Sequence, residues 1–310
     1  MTYVRRAIDL TFRLGKGTFG QSSFDQVTVS GLRVQVSIQN AGGPSMGQAT
    51  VRVHGLTRSM MNELAQVIRL ANGSVTMRFN QIIIAAGDYG TNLTKIFQGQ
   101  ITLAPIQMAG APDAVLELAA YAGAFEQVQM IPPSSYSVPV DAAQVLANLA
   151  AQASPPYAFE NNGASAILDA PYFSGSLREQ MYACVQQAHF EWNSLDDGVL
   201  AIWPKGGFRS GSADIPQIVV TAPALAPLIS PATGMRGYPT NWNLGVAITT
   251  LFNPKLRIGK LCQVQSSLPF ANGTFVMFDI SHEIESEMPE GQWSTSFHGV
   301  PTSSDLYPAP

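Results

Sequence analysis

Residues 27–53 read VTVSGLRVQVSIQNAGGPSMGQATVRV. Val27 and Val29, then Leu32, Val34, Val36 and Ile38, alternate with polar residues at a period of two. That spacing places every second side chain on one face of a β-strand. A step at Ser30–Gly31 shifts the count by one and predicts a β-bulge. Asn40–Pro44 predicts a loop, and Ala49, Val51 and Val53 begin the next strand. Two amphipathic strands joined in this way demand a sheet with one buried face.

Downstream, Thr57 is placed to cap a helix running to about Leu70, with Met60, Met61, Leu64, Val67 and Ile68 on its apolar face. Asn72–Gly73 supplies the stop signal. Strands are predicted at Ser74–Phe79, Gln81–Ala86, Lys95–Leu103 and Ala114–Ala120, so the first segment is an antiparallel sheet or barrel with one packed helix. Pro132–Ser135 is a linker. Beyond it, Asp141 and Ser176 are predicted N-caps of helices Ala142–Ala153 and Leu177–His189. Short strands at Ala158–Glu160, Ala166–Leu168, Phe190–Asn193 and Val199–Trp203 surround them, with an Asp197–Gly198 hairpin turn. Pro204–Ser212 is a second linker. Strands return at Val246–Phe252, Leu261–Ser267, Thr274–Ile284 and Gln292–His298. In the third of these, Val276, Phe278, Ile280, His282 and Ile284 are expected on the buried face, opposite Asp279, Ser281, Glu283 and Glu285. The order is β-rich, α+β, β-rich, with expected domains at 1–136, 137–206 and 207–310.

Composition narrows the function. The 310 residues carry 17 Lys/Arg and 21 Asp/Glu, only 12% charged, against roughly 25% in soluble globular domains. Interface cores are depleted in charge, so this composition favours surface buried against partners. The charges are segregated. Residues 1–95 hold ten basic and four acidic groups, residues 96–177 hold none and six, and residues 178–310 hold seven and eleven. One reading is a basic region of one subunit meeting an acidic region of another. A pI near 5.5 argues against general nucleic-acid binding. No apolar run reaches the ~18 residues of a membrane helix, and the richest, Ile218–Ile229, is broken by Pro223 and Pro227; no membrane insertion is expected. The N-terminus alternates as a strand does, unlike an export signal. Two cysteines, Cys184 and Cys262, fit a reducing folding compartment.

Catalytic signals are weak. Gly15–Gly20, GKGTFG, matches a kinase glycine-rich loop, but the lysine, HRD and DFG partners of that chemistry are missing; a hairpin turn explains it. His282-Glu283 starts like HExxH, but position 286 is Ser. Cys184 sits on the apolar side of its helix, and His189, five residues on, faces elsewhere. Asp196 and Asp197 are expected to shape a turn. The four histidines show no ligand spacing. No catalytic, cofactor-binding or metal residue is therefore assigned, and no cofactor is expected.

Several blocks together carry a resemblance. VRVHGLTRSMMNEL (Val51–Leu64), IIIAAGDYGTNLTKIFQGQI (Ile82–Ile101), GVLAIWPKGG (Gly198–Gly207), PLISPATGMRGYPT (Pro227–Thr240), TLFNPKLRIGKLCQVQSS (Thr250–Ser267) and GTFVMFDISHEIESEMPEGQW (Gly273–Trp293) occur in this order. They resemble baseplate hub proteins of long-tailed, contractile-type bacteriophages. The resemblance is weakest over Val140–Gln187. It implies a mainly β protein with two tail-tube-like β-barrel domains flanking a small α+β domain. It further implies a non-enzymatic virion component, a homotrimeric ring joining the hexameric tail tube to a trimeric central spike beside neighbouring baseplate proteins. DNA would only pass through its lumen, and assembly would take place in the host cytoplasm. A tailocin or contractile secretion device uses related folds, and a tail-associated peptidoglycan hydrolase is the alternative of a different class.

Overall fold

The computed structural model describes residues 5–15, 17–19, 25–43, 45–64, 67–69, 75–77, 79–108, 110, 114–193, 195–209, 228–242 and 245–301. The chain divides into two compact units. The first comprises Met1–Gln39, Gly47–Phe125 and His282–Trp293, and the second Asn40–Met46, Glu126–Ser281 and Ser294–Pro310.

In the first unit, β1 (Arg6–Arg13), β2 (Gln26–Val29), β3 (Val34–Asn40) and β4 (Gln48–His54) precede helix α1 (Arg58–Leu64). β5 (Val67–Arg69) and β6 (Val75–Met77) form a separate pair, followed by β7 (Gln81–Asp88), β8 (Thr94–Leu103), β9 (Ile106–Gln107) and β10 (Val115–Tyr121). The sheet runs β3-β4-β10-β8-β7-β1-β2 and is antiparallel throughout. Its core face is written by alternation: Ile8, Leu10 and Phe12; Val34, Val36 and Ile38; Ala49, Val51 and Val53; Ile82 and Ile84; Leu116 and Leu118 are all buried. β8 breaks the rule, with Ile96 and Phe97 both buried where the β7–β8 register shifts. Gly99 is obligatory there, since a Cβ would lie 2.8 Å from the Phe97 ring.

Three expectations need correction. Ser30–Gly31 is not a bulge within one strand: β2 pairs with β1 and β3 with β4, and Gly31 turns the chain between them at φ +68°. Thr57 does cap α1, its hydroxyl accepting from Met60 N at 3.3 Å, but the helix stops at Leu64 rather than Leu70. The buried Asn80 side chain donates to the carbonyls of Glu63 and Leu64 at 3.3 Å, closing the helix end. Beyond it Val67 and Ile68, β-branched, join a strand pair. The Asn72–Gly73 signal lies outside the described residues. The third correction falls in the last strands.

The second unit starts with α2 (Ala124–Val128), β11 (Ser134–Ser135), β12 (Val140–Asp141), α3 (Ala142–Ala151), β13 (Ala158–Asn161), β14 (Ile167–Leu168), β15 (Tyr172–Phe173), α4 (Leu177–Ala188), β16 (Phe190–Trp192) and β17 (Val199–Pro204). Both predicted caps form. Asp141 accepts from Ala143 N, and Ser176 forms a reciprocal capping box with Glu179. β13 and β17 pair in parallel, which requires a long crossover, here containing α4; β16 joins the other edge of β17 antiparallel. Val145, Leu146, Leu149, Leu177, Met181, Val185, Leu200 and Ile202 form the core of this part.

A further hydrophobic core gathers Trp203, Ile229, Ile248, Leu256, Phe275, Met277, Ile280 and Phe297. Apart from Trp203 of β17 and Leu256 of a loop, it lies on strands β18 (Leu228–Ile229), β19 (Met235–Trp242), β20 (Gly245–Leu251), β21 (Leu261–Val264), β22 (Gly273–Ser286) and β23 (Trp293–Pro301). The buried face of β22 is not the expected one along its whole length. Phe275 and Met277 are buried first, then Ile280, His282 and Ile284, while Phe278 is 54% exposed. The alternation shifts by one residue at Phe278–Asp279, as at a β-bulge. There the Asp279 carboxylate, rather than a ladder carbonyl, accepts the backbone N–H of His298 at 3.1 Å.

The caps give a stability test. Ser176→Ala should lower stability by about 1–2 kcal/mol and Ser176→Gly by less. Urea unfolding should show a reduced midpoint with unchanged slope.

Candidate functional site

The Asp196–Asp197 turn becomes part of a buried ionic cluster in the second unit. Leu195 and Gly198 take positive φ, +66° and +76°, so the chain reverses tightly between β16 and β17. Asp197 Oδ1 accepts from Asn193 Nδ2 at 3.0 Å and Val199 N at 3.1 Å, the backbone-shaping role expected. Its Oδ2 accepts from Arg209 Nη1 at 3.1 Å. Arg209 also holds Glu160 through Nε and Nη2, at 3.0 and 2.7 Å, and its N–H donates to Gly259 O at 2.6 Å. Arg209 was assigned only to a linker by its Gly/Ser-rich neighbours, yet its side chain is 6% exposed.

The electrostatics follow from burial. Burial pulls Glu160 upward, but the Arg209 hydrogen bonds and charge outweigh it and its pKa is lowered. Burial and then the Asp197 charge push Asp196 up to about 6, against the pull of Arg257 and Arg209. Lys260 is lowered, first by burial and then by Arg209. A guanidinium shared between two carboxylates holds three chain segments together.

A second buried group joins Glu126, Tyr157 and Arg178. Burial, then Glu126, raises the Tyr157 hydroxyl, while burial lowers Arg178. Arg178 Nη2 donates to Ser45 O at 3.4 Å, and its guanidinium lies 5.4 Å from the Trp192 ring centroid. None of this was visible as a motif.

The remaining candidates resolve as structural residues. Cys184 and Cys262 are buried and their thiols are pushed up to about 12, chiefly by that burial, so neither is a ready nucleophile. His189 ends α4 in the left-handed region at φ +54°. His282 is buried on β22, as expected. His298 receives both Asp279 oxygens at Nδ1, 2.7 and 2.8 Å, and stacks on Trp242 at 4.3 Å. In the glycine-rich segment, Gly15 N donates to Asn80 Oδ1 and Gly17 has φ +91°; Lys16 and Gly20 lie outside the described residues. Among the described residues no group of three or more His, Cys, Asp or Glu could hold a metal ion.

A groove of about 460 Å³ also opens in the second unit, walled by Phe190, Trp203, Ile258, Val276 and Phe278 over Gly42–Gly43. Glu191 is the one ionisable group among its described lining residues, and both its oxygens are engaged, by Trp203 Nε1 at 2.8 Å and Gly206 N at 3.3 Å. No described helix is long and apolar enough to cross a membrane.

A mainly β chain with an α+β part has the fold of phage tail and baseplate proteins. The tail protein of Neisseria meningitidis MC58 is similar at TM-score 0.59 and 9% identity, over 94% of this chain and 96% of that one. The 43 kDa tail protein of prophage MuSo2 from Shewanella oneidensis gives 0.55 and 8%, over 96% and 98%. The E. coli c3393 protein, a type VI secretion component with structural similarity to T4 tail proteins gp27 and gp5, gives 0.57 and 8%, over 94% and 77%. No curated protein matches by sequence. The model of one family, described as baseplate hub gp41, matches residues 8–290, and the chain belongs to that family. It is a structural protein of the baseplate, as the resemblance implied.

The ionic cluster sets a pH test with a definite sign. A carboxyl whose folded pKa is raised, from 3.8 to about 6, favours the folded state while protonated and loses that advantage as pH rises from 4 to 6. Asp196→Asn should therefore be more stable than the parent at pH 7.5, by up to about 3 kcal/mol, and melt at a higher temperature, with the gap closing below about pH 4. Glu160→Gln should lose roughly 2–4 kcal/mol at neutral pH by leaving Arg209 half-paired; thermal melts across pH read both.

Proposed function

We propose that this chain is the hub subunit that closes into a homotrimeric ring, seating on the hexameric tail tube by one face and receiving the trimeric central spike by the other. In this reading residues 1–136 and 207–310 are two tube-like β-barrel domains flanking the α+β domain at 137–206. Symmetry makes the duplication useful: three subunits match six tube positions only when each offers two equivalent surfaces. The observation that carries the reading is the family match over residues 8–290, on a chain whose two units each hold antiparallel strands. Neighbouring baseplate proteins complete the partner set, and assembly precedes release from the host cytoplasm.

Charge supports a lumen that lets DNA pass. The first unit holds ten Lys/Arg and ten Asp/Glu, and the second seven and eleven. Neither has the cationic surplus that would hold phosphate and slow a moving strand. A hub in a tailocin or secretion device is the second reading, favoured by the likeness in fold to the E. coli secretion component.

The test is stoichiometry. Native mass spectrometry of the chain co-expressed with its spike should give three copies per particle, and class averages should show a ring. A monomer both alone and with the spike overturns the proposal.

A further inference from the structure

One exposed face of the second unit gathers apolar side chains. Two short antiparallel pairs form an interrupted ribbon: Ser134 lies opposite Phe173 and Ser135 opposite Tyr172, then Val140 opposite Leu168 and Asp141 opposite Ile167. Tyr136 N donates to Pro171 O at 3.2 Å between the two pairs. Its inner side is core: Leu168 and Phe173 are 6% and 3% exposed, with Tyr136 and Val140 packed beside them. Such a ribbon ordinarily shows water polar or charged side chains, lysine above all, which keep other chains away. Here Val138, Ile167 and Tyr172 are 62%, 69% and 63% exposed, and Met130, bridged to Ser176 next to β15, is 74% exposed.

The neighbouring charge points to the occupant. No Lys or Arg occurs between residues 96 and 177, and the ribbon carries exposed Asp169. A second copy of this chain is a poor match, because its first unit is neutral and its second has four more acids than bases. An apolar patch beside an exposed carboxylate and without a nearby base in sequence is complemented by an apolar patch that carries a base.

We propose that the outward side of this ribbon, Ile167 and Tyr172, with exposed Val138 and Met130 nearby, docks a different protein of the baseplate through an apolar patch that carries lysine. This rests on the baseplate reading but not on the trimer.

The chain's buried cysteines make the test clean, since Ile167→Cys and Tyr172→Cys each add one accessible thiol. Mass spectrometry of purified tails first establishes that the chain is present; its absence overturns the baseplate reading itself. Maleimide should label both variants quickly in the isolated chain and at least tenfold more slowly in intact tails. A thiol-to-amine cross-linker on the same thiols should join lysines of another tail protein, and Asp169→Lys should cut that yield several-fold. Equal labelling in the free and assembled states overturns the proposal. So do protection without a cross-link to another protein, cross-links confined to a second copy of this chain, or a yield indifferent to Asp169→Lys.

Discussion

The strand Gly273–Ser286 is the constraint on which the rest of the chain depends. It begins in the second unit and ends in the first, so its alternation has to satisfy two cores. It does so by shifting its buried face by one residue at Phe278–Asp279. With it, residues 282–293 bring Glu283, Glu285, Glu287 and Glu290 into the first unit, which otherwise holds ten bases against six acids. Glu283 accepts from Ser37 at 2.6 Å and Glu285 from Gln35 at 3.0 Å along β3, and Glu287 takes the Arg5 guanidinium at 2.6 Å. The exposed Arg5–Glu287 pair is worth little alone. The four added carboxylates leave the first unit neutral, and an excess of positive charge would otherwise work against its compact state.

The segregated charge along the sequence therefore closes within the chain. The basic first 95 residues find much of their counter-charge 190 or more positions later, so the idea of basic and acidic regions meeting between subunits is unnecessary for that segment. The second unit uses its charges differently, placing Arg209 under Glu160 and Asp197 where little water reaches. A buried guanidinium is tolerable only when its donors are taken, and this one's are divided between two carboxylates and fixed by planar geometry. Asp196 bears the cost, held next to Asp197 with its proton favoured.

What the sequence disclosed was local. Alternation named the core residues of β3 and β4, because a strand's period is fixed by the backbone. Asp141 and Ser176 were readable as caps because the cap and the N–H it serves lie within three residues. What stayed hidden depends on distant partners. Leu64 ends its helix because Asn80 reaches back to it, overriding the apolar spacing of Val67 and Ile68. The face shift in β22 arises where Asp279 meets His298, and Arg209 looked like linker because Gly206, Gly207 and Ser210 surround it. Its partners lie 49 and 12 residues away.

The scarcity of charge takes on a specific meaning once these groups are placed. The 310 residues hold only 17 Lys and Arg; with Arg5, Arg13, Arg52 and Arg209 committed to ion pairs and Arg178 buried, twelve are left to keep the whole surface apart from others. Exposed Tyr238 and Phe278 of the C-terminal strands and the ribbon residues Ile167 and Tyr172 face water without lysine beside them in sequence. For a free monomer that is a liability, since edges and apolar patches lacking charge invite association. For a subunit that spends its life inside a tail it is the economical arrangement: each omitted lysine is one ammonium that need not be dehydrated when neighbours close over it.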